Sequence, residues 1–148
     1  MPTLEHIENW DRWLVEFARA ADGQAFEWGR TDCASLVRRG LQTIFGKDVW
    51  KGHVGTWKTR RGALGVSGRT DYVDALLASG AVEVGFHFAW SGDVALASRE
   101  DEHGMFSTGL LVPTRKVLTS TPREGVVLLD KLQLEPGTKF YRYGVNDG

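Results

Sequence analysis

Apolar residues recur at helical spacing in three stretches up to Ser79 and change to a strand-like period after Gly80. Leu4, Ile7, Trp10, Leu14, Phe17 and Ala18 form one stripe, which predicts a first helix capped by Thr3 and stopped at Asp22-Gly23. His6 falls in its first turn, among Glu5 and Glu8, as a solvated surface residue. Ala34, Leu36, Val37, Leu41, Ile44 and Phe45 predict a second helix that begins near Cys33 and ends before Gly46, with Arg38-Arg39 on its wet face. A third, from Thr70 to Ser79, turns Tyr72, Val73, Leu76 and Leu77 inward and stops at Gly80. Between the second and third, glycines at 52, 55, 62, 65 and 68 break every period. That region is expected to be a loop with one short helix around Thr59 to Leu64 and with His53 on its surface.

Beyond Gly80, six short runs are separated by turn-forming residues: Ala81–Val84, Val94–Ala97, Gly109–Val112, Lys116–Thr119, Val126–Leu129 and Phe140–Tyr143. They predict a small antiparallel sheet or half-barrel. Helices first and strands afterwards make an α+β fold. The 148 residues, 42% hydrophobic and 25% charged, fit one domain with a real core, residues 1–148.

The formal net charge of -1 gives no nucleic-acid footprint, and the basic residues Lys58, Arg60 and Arg61 form only a local cluster. No window approaches the roughly 18 apolar residues of a membrane span, and the N-terminal residues do not follow a secretory pattern, so the chain is expected to be made in the cytoplasm. The single cysteine excludes an internal disulfide and a cysteine-based zinc site, and no cofactor is expected. Six tryptophans is a high count for this length, and tryptophan is enriched at interfaces and ligand clefts.

Cys33 follows Gly29 and the capping pair Thr31-Asp32, which places it in the first turn of the second helix. Unpaired N–H groups and the helix dipole there favour thiolate, and can lower a free cysteine pKa of about 8.5 to roughly 3.5–7.5. Cys33 is therefore either a mounted nucleophile or a small buried hydrophobe. Asp32 is either a cleft residue or simply the helix cap, in which role its charge opposes the thiolate. Trp28-Gly29 either lines a cleft or serves packing and a positive φ.

The segment Phe26-x-Trp28-Gly29-x-x-Asp32-Cys33-Ala34, followed by Gly92-Asp93-Val94, resembles the NlpC-like cysteine peptidases, papain-fold enzymes that cut bacterial cell-wall peptides. The whole chain, over roughly residues 5 to 145, is similar to small phage and prophage proteins encoded among tail genes, which also share the segment Trp57–Ala63. The resemblance implies a papain-like NlpC-type fold, with Cys33 as nucleophile and Trp28, Gly29 and Asp32 lining the cleft. It also implies a histidine at the start of the strand after Gly-Asp-hydrophobic and a third polar residue about a dozen positions later. Laid without gaps on Ser107–Val112, the family pattern puts Ser107 at the histidine position and Thr119 at the third. Neither can take a thiol proton at neutral pH. Two histidines are candidate substitutes: His103, within an acidic turn, and His87, which is expected to pack in the core.

Two functions follow from the resemblance. One is a structural, catalytically degenerate domain of a phage tail tip, made in the host cytoplasm and then carried in the virion tail, with other tail-tip or hub proteins as partners. The other is an active cysteine endopeptidase or amidase that cleaves peptidoglycan peptides as phage DNA enters, with His103 or His87 as base.

Overall fold

Helix α1 spans Trp10–Ala21 and packs its apolar stripe, buried at Leu14 and Ala18, on helix α2, Cys33–Phe45. The structure is a computed structural model that describes residues 4–52, 69–99 and 106–144. Helix α2 has the expected ends: Asp32 caps it, and Gly46 stops it at φ 72, a left-handed conformation that glycine adopts without steric cost. Helix α1 begins later than its stripe suggested, at Trp10. The preceding segment is held by the Ile7 N–H, which donates to Ile44 O at 2.8 Å, and Asn9 takes φ 59, which a helix interior does not accept. His6 belongs to that segment, and its exposed ring lies 4.6 Å from Trp10 and 4.9 Å from Phe45 between centroids.

Helix α3, Arg69–Ala78, ends where the Ala81 and Gly80 N–H groups fold back onto Leu76 O and Leu77 O. Tyr72 and Leu76 are buried as expected and Val73 packs half-buried against the core, but Leu77 is 49% exposed.

The strands are β1 (Val82–Val84), β2 (Val94–Leu96), β3 (Thr108–Val112), β4 (Lys116–Thr121), β5 (Gly125–Asp130) and β6 (Lys139–Arg142). They form one antiparallel sheet in the order β1-β6-β2-β3-β4-β5, giving an α+β fold. Helix α2 lies across β3 and β4, and its Leu36, Leu41 and Ile44 bury against Leu96, Leu110 and Leu118. Ala95, Leu111, Val117 and Phe140 form a smaller cluster on the opposite face. Both faces are covered, which is why β2 and β3 read as unbroken apolar runs.

A second tie runs from β6 to the turn before β2. Arg142 donates through Nε to Asp93 Oδ1 and through NH2 to Asp93 Oδ2, each at 2.9 Å, and NH2 also reaches Phe88 O at 2.8 Å. The Trp90 N–H donates to Asp93 Oδ2 at 2.9 Å, so one buried carboxylate secures both segments. Among the described residues no helix is long and apolar enough to cross a membrane.

Helix α2 approaches the sheet tightly at Gly40, where a Cβ would run into the buried Leu110 side chain. Gly40→Val is expected to lower stability by about 1–3 kcal/mol through overpacking, read as a lower urea midpoint with an unchanged slope.

Candidate functional site

The site is built around the start of α2. Asp32 Oδ1 accepts from the Ser35 N–H at 3.0 Å, and Oδ2 accepts from the Ser35 hydroxyl at 2.7 Å and the Gly29 N–H at 2.6 Å. Thr31 anchors the same loop by donating its hydroxyl to Ala25 O at 2.7 Å. Gly29 needs its φ of 82 for the turn, and Trp28 is half-buried against the core with Phe26 edge-on at 4.8 Å. Asp32 thus caps the helix, Trp28 packs on the core and Gly29 makes the turn.

Cys33 is half-buried, and its thiol donates weakly to Phe106 O at 3.9 Å. Burial pushes the Cys33 thiol up to about 11; the backbone of Thr108 pulls it back, and the Asp32 charge adds to the rise. The helix start lowers the pKa as anticipated, through the backbone of Ala34 and Cys33 itself, but burial outweighs it. At neutral pH the sulfur is a thiol.

The strand beside Cys33 brings hydroxyls to it. Thr108 donates its only hydroxyl proton to Ala95 O at 2.6 Å, so the Tyr72 hydroxyl, 2.9 Å away, donates to Thr108. Burial raises the Tyr72 pKa well above its ordinary value, which keeps that phenol protonated. Tyr72 also packs on Phe106 at 4.5 Å and on Trp50 at 5.5 Å. The Trp50 indole N–H donates to the Tyr143 hydroxyl at 2.9 Å, and Ser79 lies 2.6 Å from that same oxygen.

Ser107 and Thr119, the positions given by the ungapped match, occupy other places. Side chains alternate along a strand. Thr108, Leu110 and Val112 therefore face α2, whereas Ser107 is exposed and Gly109 meets Val117 and Thr119 on the opposite face. Thr119 is buried there and donates to Thr108 O at 2.8 Å. Continuing the register that pairs Leu110 with Leu118 sets Thr108 opposite Ser120. The polar residues sharing a face with Cys33 are thus Thr108 and Ser120, each one residue beyond the position expected. Ser120 is 5% exposed, and its hydroxyl has no hydrogen-bond partner among the described residues. Sequence reasoning missed Thr108, Ser120 and Tyr72, although the period-two pleat was the signal for the first two.

His87 is exposed in the 3-10 turn Phe86–Phe88 and does not pack in the core. Its neighbours Phe86 and Phe88 turn outward, and the buried position falls to Ala89. It lines a cleft at the Val112 end of β3, whereas Cys33 lies at the Phe106–Thr108 end. His103, His53, the segment Trp57–Ala63 and the cluster Lys58, Arg60 and Arg61 lie outside the described residues. Among the described residues no group of three or more His, Cys, Asp or Glu side chains is placed to hold a metal ion.

Fold and site together define an α+β domain with a protonated cysteine at the start of the helix that crosses its sheet. The chain belongs to the family of a domain of unknown function, DUF6950, which matches residues 5–136. No curated protein matches it.

Three outcomes are expected. Alkylation of Cys33 by iodoacetamide at pH 7 proceeds about a hundredfold slower than that of a free cysteine, and accelerates until the pH passes about 11. A thiol pKa raised by folding stabilises the fold fully below the unfolded value of about 8.5, and that contribution is lost as pH rises through about 11, so Cys33→Ala flattens the alkaline part of the stability curve. Ser120→Ala removes an unsatisfied buried hydroxyl and is expected to keep or raise stability, by up to about 1 kcal/mol, in urea unfolding.

Proposed function

We propose that this chain is a papain-like domain of NlpC type that has lost catalysis and serves as a structural component of a bacteriophage tail tip. The observation that carries the loss of catalysis is the state of Cys33. Its thiol is protonated, donates to a backbone carbonyl, and lies beside a threonine whose hydroxyl is already committed to Ala95 O. Acyl transfer needs a thiolate and a base to form it. In this reading Thr108 and Ser120 stand on the strands where the peptidases carry their histidine and its orienting partner, and α2 is kept because its buried face holds the sheet.

The tail assignment rests on the segments Phe26–Ala34 and Trp57–Ala63, which resemble the tail-gene proteins. Its partners are then hub or distal-tail subunits, and the protein passes from host cytoplasm to virion. Cys33 on a helix beside an antiparallel sheet supports the papain-like part of the reading.

Purified protein is expected to leave cross-linked muropeptides uncut, with Cys33→Ser indistinguishable from wild type by mass spectrometry of the products. Cleavage abolished by Cys33→Ser would overturn the loss of catalysis, and its further loss in His103→Ala would identify the base. Mass spectrometry of purified virions is expected to find the chain, and its absence from them would remove the structural role.

A further inference from the structure

A cleft of about 660 Å³ opens at the end of the sheet where β3 turns into β4. Its floor is Leu111 and Val112, one wall is the segment Phe86–Trp90, and the other is the Thr114-Arg115 turn with Lys131 and Leu132. The volume is within the roughly 300–1,000 Å³ of ordinary ligand sites. Of the eight large apolar side chains exposed among the described residues, four are here: Phe86 at 37%, Trp90 at 68%, Phe88 at 78% and Leu132 at 82%. Scattered exposed apolar residues need no explanation, but this concentration on the rim of one cleft does.

The aromatic wall is fixed although its rings stand in solvent. From one side Arg142, gripped by Asp93, donates to Phe88 O, and Asp93 takes the Trp90 N–H. From the other side Lys131 Nζ donates to Phe86 O at 2.6 Å and Ala89 O at 3.1 Å, and lies 4.6 Å from the centre of the Phe86 ring. Two cations thus hold three carbonyls of the wall. A rigid backbone that presents its aromatic side chains outward loses little freedom when something docks on them.

The charge of the cleft selects the occupant. Asp130 is already engaged, accepting from the Leu132 N–H at 3.0 Å and standing 3.8 Å from Lys116 Nζ. Arg115 is exposed, and its guanidinium has no ion pair or hydrogen bond among the described residues. The uncompensated charge beside the aromatic wall is therefore positive. From this geometry we infer that the cleft docks an extended segment of a partner protein that places a carboxylate on Arg115 and a large apolar side chain between Phe88, Trp90 and Leu132. The inference is independent of the fate of Cys33 and of the tail assignment.

The test pans a random displayed peptide library on the immobilised full chain, then measures the enriched peptides against Trp90→Ala, Phe88→Ser and Arg115→Glu, with thermal melts to establish that each variant is folded. Enriched sequences are expected to pair an acidic residue with a large apolar one, and Arg115→Glu and at least one of the two aromatic variants are expected to weaken them about tenfold or more. An absence of enrichment, enriched peptides without carboxylates, or affinities untouched by Arg115→Glu would overturn it. Binding of saccharides on a glycan array that depends on Trp90 would replace the peptide by a glycan. A wild-type dimer that Phe88→Ser dissociates in sedimentation would replace it by a second copy of the chain.

Discussion

The buried carboxylate of Asp32 sets the position of everything near the cysteine. By accepting bonds from Gly29, Ser35 N–H and the Ser35 hydroxyl, it fixes the turn, the first residue of α2 and therefore the height at which Cys33 meets β3. The same carboxylate works against the chemistry that the position would otherwise allow. Its charge adds to burial in holding the thiol neutral, while the helix N–H groups pull the other way. Cap and nucleophile are in competition at this helix start, and in this molecule burial decides the outcome in favour of the thiol.

Polar atoms on the helix face of the sheet are consumed in the same way. Tyr72, Thr108 and Ala95 O form a donor chain that ends on a backbone oxygen, and Ser79, Tyr143 and Trp50 form another beside it. Such networks make a core specific, because each member would be costly to leave unpaired. Within these chains each hydroxyl is engaged by a neighbour, so none of them is free to draw a proton from sulfur. Among the described residues, the buried Ser120 hydroxyl stands outside these chains.

How much of this was legible in the sequence differs by element. The ends of α2 were readable because cap and stop are local signals, Asp32 and Gly46, and the six strands were readable from apolar runs between turn residues. The start of α1 was not, since it depends on Ile7 pairing with Ile44 and on the conformation of Asn9, both set by tertiary structure. His87 read as a core residue because two phenylalanines flank it, yet Phe88 stands in solvent and Phe86 only leans edge-on against Phe140. Ser107 and Thr119 lie on the face away from α2, because an ungapped match carries no information on which way a pleat faces. Thr108 and Ser120 became visible only with the register in hand.

Strand order has a consequence for how the chain reaches this state. The last described strand, β6, lies between β1 and β2, so β1 joins the ladder of the β2–β5 meander only through residues 139–142. Its Arg142 also brings the cation that Asp93 has awaited since the turn before β2. Residues 139–142 follow the end of β5 by fewer than ten positions, yet they pair with strands more than forty positions upstream. Closure of the sheet is thus a step of high sequence separation, and it is the step that brings the Arg142 guanidinium to the Asp93 carboxylate.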